Sequence, residues 1–396
     1  MVVPARLCLV CKGRNLCGHS PCPLLKRLNV ESKVKGLSES FFGPSEDVFI
    51  GRAGYPSIGA GPLGMINEET RINNPQNWLE MEYSDIIYLR SLVLRTKQKE
   101  NIFSSSRFVS KIQEISLSKK PVDVEMEFKK KPSYRMGFSD IYHPIGPTAE
   151  LKKLEIAENP KIPRKTESVV NDEIGAKEAS FMLYKQGNDV YKITTILSSG
   201  ALGIKRRLVP TRWSITAADD MIFKEIIKSV KEFPVIDKYL VYSNESLNNH
   251  FEILLIPDKW EFENFEAWAP GSFWSFSLKS TQILREYEPY KGRKDYAELQ
   301  GGGYYASRFA VAESLFRMKR QARVVVFREV YEGYVIPLGV WQVRENIRKA
   351  FQSKPEKFDS LKDALLSIDS RLRISTDEYK KQSIILSQKK INDFWT

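Results

Sequence analysis

Apolar residues recur along this chain with two different periods. Val122, Val124, Met126 and Phe128 alternate with polar residues, as do Phe251, Ile253 and Leu255, and this predicts half-buried strands. The VVVF run at 324–327 predicts a buried strand. Helical spacing over 84–97, 106–117, 167–185 and 189–198 predicts helices, the last ended by Ser198, Ser199 and Gly200. A further helix is expected from Thr216 through 232. Residues 41–64, FFGPSEDVFIGRAGYPSIGAGPLG, hold a short strand-like run at Val48 to Ile50, but their many glycines and prolines predict an ordered, close-packed loop. No GK[ST] follows it, which excludes a P-loop. Trp260, Phe262, Phe265, Trp268, Phe273, Trp274 and Phe276 lie among strand-like residues and read as sheet core more than as a stacking platform.

Polar and proline-bearing stretches punctuate these elements. Residues 129–166 turn basic and are interrupted by Pro132, Pro144, Pro147, Pro160 and Pro163. REYEPYKGRKDY, within 280–297, marks a boundary or long connection. Beyond it come a glycine turn, a helix, a strand and a basic helix. The expected class is a multidomain α+β (mixed α/β) protein, with a cysteine knuckle at 1–27, a larger domain at 28–280, a second at 281–380 and a flexible tail at 381–396.

Composition narrows the setting. With 396 residues, 42% hydrophobic and 28% charged, the chain can bury substantial cores. No run of eighteen apolar residues is present, and MVVPARLCLVCKG lacks the apolar core and cleavage site of a secretory signal, so a soluble intracellular protein is expected. A net charge of +12 favours anionic partners. The cations cluster: Lys205, Arg206, Arg207 and Arg212 in one segment, and Arg308, Arg317, Lys319, Arg320, Arg323 and Arg328 in another.

All four cysteines, Cys8, Cys11, Cys17 and Cys22, fall in one C-x2-C-x5-C-x4-C run. Four thiolates so spaced can surround one tetrahedral zinc, with Gly13 and Gly18 easing the turns; two disulfides are the competing arrangement, disfavoured inside a cell. His19 is a neighbour that can stand in as a ligand. A closed four-ligand site leaves no position for water and is structural. Arg6, Lys12, Arg14, Lys26 and Arg27 either meet phosphate or balance the anionic centre.

At the other end of the sequence, Gln388, Ile391, Phe394 and Trp395 are spaced as Q-x-x-h-x-x-a-a. One compact helical turn would place the aliphatic and aromatic side chains together, leaving them to be buried by another molecule or by the chain's own domain. The spacing resembles the PIP motif with which replication and repair proteins grip the PCNA sliding clamp.

Chemistry-bearing side chains are densest in SSGALGIKRRLVPTRWSITAADD. Arg206, Arg207 and Arg212 can fork onto phosphates and Trp213 can stack on a base. Asp219 and Asp220 can hold a metal or act as a base, although Thr216 followed by Asp219 has capping-box spacing, the favoured reading. Gly301, Gly302 and Gly303 before a helix can receive an anion, with Arg308 as a second donor, or simply make a turn.

Taken in order, CLVCKGRNLCGHSPCP, FIGRAGYPSIGAGPL, SSGALGIKRRLVPTRWSITAADD, GGGYYASRFAVAE, GVWQVREN and QKKINDFW resemble the archaeal Nre DNA-repair family over nearly the whole chain. The resemblance implies a role in DNA-damage repair in an archaeal cell, cytoplasmic and nucleoid-associated during repair. It also implies zinc on Cys8, Cys11, Cys17 and Cys22, PCNA binding through Gln388, Ile391, Phe394 and Trp395, and two Nre domains meeting near residue 280. It supplies no reaction. A DNA-binding adaptor is the favoured class. The alternative is a nuclease or phosphate-ester or glycosidic hydrolase acting on DNA or a nucleotide, with Arg206, Arg207, Arg212, Asp219 and Asp220 near the glycine turn. No HExxH, GxSxG or DxD cluster supports the latter.

Overall fold

The computed structural model describes residues 37–66, 75–133, 146–270, 281–334 and 337–387. It is a mixed α+β structure with two separate β-sheets and many helices. The chain divides into two compact units between Ile222 and Phe223.

The unit before this division is built on a closed barrel of five strands, in the order β1-β2-β3-β5-β4. Residues 41–64, expected to be a loop, form instead the greater part of a β-hairpin, β1 (Ser40–Ile50) and β2 (Ser57–Met65), with Phe49 opposite Gly61. The glycines that disguised β2 are what its position demands: a Cβ on Gly61 would lie 2.6 Å from the Thr96 carbonyl oxygen, and one on Gly64 3.0 Å from the Phe41 ring. The helical pattern over 84–97 also resolves differently. Helix α1 (Tyr83–Ser91) ends before β3 (Val93–Asn101), in which Leu94 and Thr96 are buried while Lys97 and Lys99 are exposed.

Helix α2 (Arg107–Leu117) follows, its first turn capped by the Ser106 hydroxyl accepting from the Val109 amide at 3.3 Å. It sends Phe108, Val109, Ile112 and Ile115 into the same core as Val48, Ile50, Ile58, Leu94, Val124 and Leu151 of the barrel. Strand β4 (Val122–Phe128) buries the four residues its alternation predicted. It pairs antiparallel with β1 and with β5 (Thr148–Ile156), and β5 closes the barrel by running parallel to β3. The span 167–185 is two helices, α3 (Arg164–Asn171) and α4 (Ala176–Lys185), divided at 172–175. Helix α5 (Val190–Ser198) begins where Asp189 accepts from the Lys192 amide at 2.8 Å. Helix α6 (Thr211–Val230) carries the chain through the division.

The second unit holds a six-stranded sheet, ordered β11-β6-β7-β10-β8-β9. Its strands are β6 (Tyr239–Ser246), β7 (Asn249–Ile256), β8 (Glu261–Trp268), β9 (Gln282–Glu288), β10 (Arg323–Val330) and β11 (Glu356–Phe358). Helices α7 (Gly302–Met318) and α8 (Trp341–Ala350) meet one face, where Ser307 bonds Asn264 at 2.7 Å and Asn346 bonds Asn244 at 2.7 Å. Helices α9 (Leu361–Asp369), α10 (Thr376–Gln382) and α11 (Ile384–Ser387) cover the other, where Ile368, Tyr379 and Ile385 join Leu254, Phe265, Val325 and Phe327 in one core. Trp260, Phe262 and Phe265 are sheet core, as their spacing predicted. Strand β9 pairs with β8 along Trp268↔Gln282 to Phe262↔Glu288, so residues on both sides of 280 contribute to this sheet.

Candidate nucleic-acid interface

The segment richest in chemistry lies on the first unit, next to the β1–β2 turn. Gly54 has φ +80°, and a Cβ there would meet the Ser57 carbonyl oxygen at 2.6 Å, so the turn requires glycine. Three stretches are tied into one rim by the backbone. The Ile102 amide donates to the Pro56 carbonyl at 3.0 Å, the Leu208 amide to the Ile102 carbonyl at 2.9 Å, and the Ile50 amide to the Thr211 hydroxyl at 3.0 Å.

On that rim Tyr55 and Trp213 are 47% and 45% exposed, and their rings stand 5.2 Å apart. Phe103, on the next loop, is 66% exposed. Solvated aromatic bulk from three separate stretches is a cost unless a partner covers it. Arg207 and Arg212 are exposed beside Trp213, as is Lys205, and none of the three has a carboxylate partner among the described residues. Arg206 has left-handed backbone, φ 36°, and its guanidinium donates to the Val170 carbonyl at 2.8 Å. It is thus partly committed to its own unit. Arg212 stands in the first turn of α6, which contains no acidic residue. A cation there opposes the helix dipole, and a bound anion would relieve the opposition.

From the rim a basic strip runs along the outer face of β2 and β3. Asn101, Lys99 and Lys97 alternate outward, with Asn101 opposite Ser57 and Lys99 opposite Gly59. Gly59 leaves the floor low, since a Cβ there would touch the Lys97 Cβ at 3.3 Å. Lys97 in turn lies opposite Glu150 of β5, whose carboxylate holds Lys129 at 2.8 Å. The hydrogen bond and charge of Lys129 hold the Glu150 carboxyl below the usual range, so it is ionised at neutral pH. Across the β4–β5 face, by contrast, cations are matched: Lys111 with Glu155 at 2.7 Å and Lys152 with Glu127 at 3.3 Å. Lys97, Lys99, Lys205, Arg207 and Arg212 are exposed cations of this unit.

The other candidates are placed elsewhere. Thr216 is not a helix cap: α6 begins at Thr211, where the Pro210 carbonyl accepts from the Trp213 amide at 2.7 Å and the Ser214 amide at 3.0 Å. Asp219 is buried within the helix and Asp220 half-buried. Seven residues separate Arg212 from Asp219, roughly 10 Å of helix rise. Among the described residues no three His, Cys, Asp or Glu side chains gather as a metal site requires. In the second unit, Gly301 to Gly303 do precede a helix, but a Cβ on Gly303 would lie 2.6 Å from Glu266 Oε1, which places an internal carboxylate against that helix start. Arg308 is buried, with Nη1 2.5 Å from Glu288 Oε2 and its guanidinium over the Phe223 ring. Arg328 is paired with Glu266 at 2.6 Å and Arg323 with Glu261 at 3.1 Å. Glu313, lacking an evident partner in sequence, binds Arg348 at 2.8 and 3.0 Å. Arg308, Arg323, Arg328 and Arg348 are thus engaged within the second unit, while Arg317, Lys319 and Arg320 of the same sequence cluster are exposed.

Cys8, Cys11, Cys17 and Cys22, with His19, and the tail residues Gln388, Ile391, Phe394 and Trp395 lie outside the described residues. Tyr55, Phe103, Lys97 and Lys99 were not singled out in the sequence. Tyr55 has only its place in a glycine-rich turn as a signal, Lys97 ends the span of helical appearance at 84–97, and Lys99 and Phe103 lie between that span and the next at 106–117.

Comparison with known proteins gives this arrangement a context. The family model described as Archaeal Nre, N-terminal, matches residues 16–275, and the one described as Archaeal Nre, C-terminal, matches 288–394. "DNA repair protein NreB" of Archaeoglobus fulgidus is 38% identical over 98% of this chain and 99% of its own. "DNA repair protein NreA" of the same organism is 39% identical over 92% and 93%, and "DNA repair protein NreA" of Haloferax volcanii 35% identical over 92% and 90%. No solved structure matches the chain.

Proposed function

The chain belongs to the archaeal Nre family, and from that premise we propose that it is a DNA-repair protein that holds DNA on the rim of its barrel and is recruited by the PCNA clamp. The observation that carries the DNA-binding part is the rim itself, where Tyr55 and Trp213 are exposed against one another and Lys205, Arg207 and Arg212, on the segment that carries Trp213, are exposed without carboxylate partners among the described residues. Counterion release makes such binding salt-dependent, with a slope of about −0.9 per neutralised phosphate on duplex DNA and about −0.7 on single strands. Replacing Arg207 and Arg212 together by glutamate should weaken DNA binding at least tenfold and flatten the slope of log K against log salt by about 1–2 units. An unchanged slope would remove the rim from the reading.

Recruitment rests on the spacing of Gln388, Ile391, Phe394 and Trp395. A peptide of residues 381–396 should bind the host's PCNA, and Phe394→Ala should cost on the order of 2 kcal/mol by removing an aromatic anchor. Equal binding by both peptides, or a marked loss of thermal stability in the full-length variant, would assign Phe394 to the chain's own packing. For the cysteines we propose one structural zinc, held by Cys8, Cys11, Cys17 and Cys22. Elemental analysis should find about one zinc per chain and much less after Cys11→Ser; intact disulfides in the purified protein would count against it.

A further inference from the structure

We infer that the barrel binds single-stranded DNA across its β2–β3 face, with unpaired bases stacked at Tyr55 and Trp213. This rests on the DNA-binding reading above and makes its ligand specific.

The first argument is connectivity. Five strands close in the order β1-β2-β3-β5-β4, β3 and β5 run parallel, and helix α2 between β3 and β4 fills the interior from one side. That is the connectivity of an OB barrel, whose ligand face is the outside of strands 2 and 3 between the β1–β2 and β4–β5 loops. Here Tyr55 lies in the first of those loops, and Lys129, Lys130 and Lys131 begin the second, all exposed.

The second argument is independent of fold and comes from what is exposed. Tyr55 and Trp213 each keep about half of their surface open while touching one another, and Phe103 stands on the adjoining loop. Aromatic faces gain most from flat, unpaired bases, because bases in a duplex already stack on their neighbours. From Asn101 to Lys97 the strip advances four residues, about 13 Å at the strand rise. Lys99 and Lys97 flank it, and Glu150, opposite Lys97, is already paired with Lys129. A strand entering over the rim therefore meets phosphate-binding cations on one side and stacking faces at its end. A span of this length suits the low end of the roughly 4–16 nucleotides that an OB barrel covers.

The test uses the full chain and three fluorescein-labelled probes: a twelve-nucleotide poly-dT strand, a duplex of mixed sequence and the matching single-stranded RNA. Anisotropy should show the poly-dT strand bound at least tenfold more tightly than the duplex at equal salt. Tyr55→Ala with Trp213→Ala should reduce that affinity at least tenfold with little change in salt slope, while Lys97→Glu with Lys99→Glu should flatten the slope. All four side chains are exposed or half-exposed, and unchanged melting temperatures would show that each variant folds. Equal affinity for strand and duplex, or aromatic variants that bind as the parent does, would overturn the inference and leave a general DNA-binding surface standing. Tighter binding of the RNA would overturn it in favour of a different ligand. No binding to any probe would overturn the broader DNA-binding reading with it.

Discussion

Individual residues reveal how differently the two units use charge. Around the barrel rim, cations are exposed and without carboxylate partners among the described residues; inside the second unit they are paired. Glu252 on β7 shows the second case. It is buried, faces His250 Nε2 at 2.8 Å, and accepts from Ser243 Oγ at 2.7 Å and from Arg371 at 2.8 and 2.9 Å. Burial pushes its carboxyl up, but the hydrogen bonds from His250, Arg371 and Ser243 together hold it below the ordinary range. A carboxyl whose folded pKa lies below its unfolded one contributes stability above the unfolded value and loses it as pH falls through the folded value. Glu252→Gln should therefore flatten the acid limb of the unfolding free energy below about pH 5, read by urea titration at several pH values. Arg371→Ala should cost about 3 kcal/mol at neutral pH, because it leaves the buried carboxylate without its guanidinium, with only the Ser243 and His250 contacts named above remaining. An acid limb identical to the parent's would show that Glu252 is not the group responsible.

Elements were legible where one period dominated and obscure where residues served more than one constraint. Strands β4, β7 and β10 and helices α2 and α5 follow from alternation, helical spacing and caps that local sequence supplies. Strand β2 does not, because its glycines answer to the Thr96 carbonyl and the Phe41 ring, both remote in sequence. For helix α6, the capping-box spacing of Thr216 and Asp219 points to a start five residues too late; the helix begins at Thr211, with the Pro210 carbonyl accepting its first amides. The two assignments predict different mutants. Thr216→Ala should change stability by less than about 0.5 kcal/mol, since Thr216 is interior to the helix. Ser106→Ala should cost about 1 kcal/mol, because that hydroxyl does cap α2. Chemical denaturation of the pair checks both, and a loss at Thr216 as large as at Ser106 would restore the cap.

At the scale of the molecule, the family's two matched segments, 16–275 and 288–394, and its two compact units do not coincide. The sheet explains why. Residues after 280 supply β9, β10 and β11, and among the described residues no two of these are neighbours: β10 lies between β7 and β8, β11 pairs with β6 and β9 with β8. A fragment of residues 281–396 should accordingly lack cooperative thermal unfolding by circular dichroism, and one that melts cooperatively would show that the later segment needs no earlier strand. No described helix is long and apolar enough to cross a membrane. The sequence by itself determined the class of elements, the cysteine run, the spacing of the tail and the place of this chain among archaeal Nre proteins. All of these are local patterns or an order of segments along the chain. Tertiary structure decided which charges are spent and which are offered. Arg308 and Arg212 look alike as sequence, yet Arg308 meets Glu288 across a buried face while Arg212 stands exposed, because pairing depends on what folding brings opposite, not on what lies adjacent.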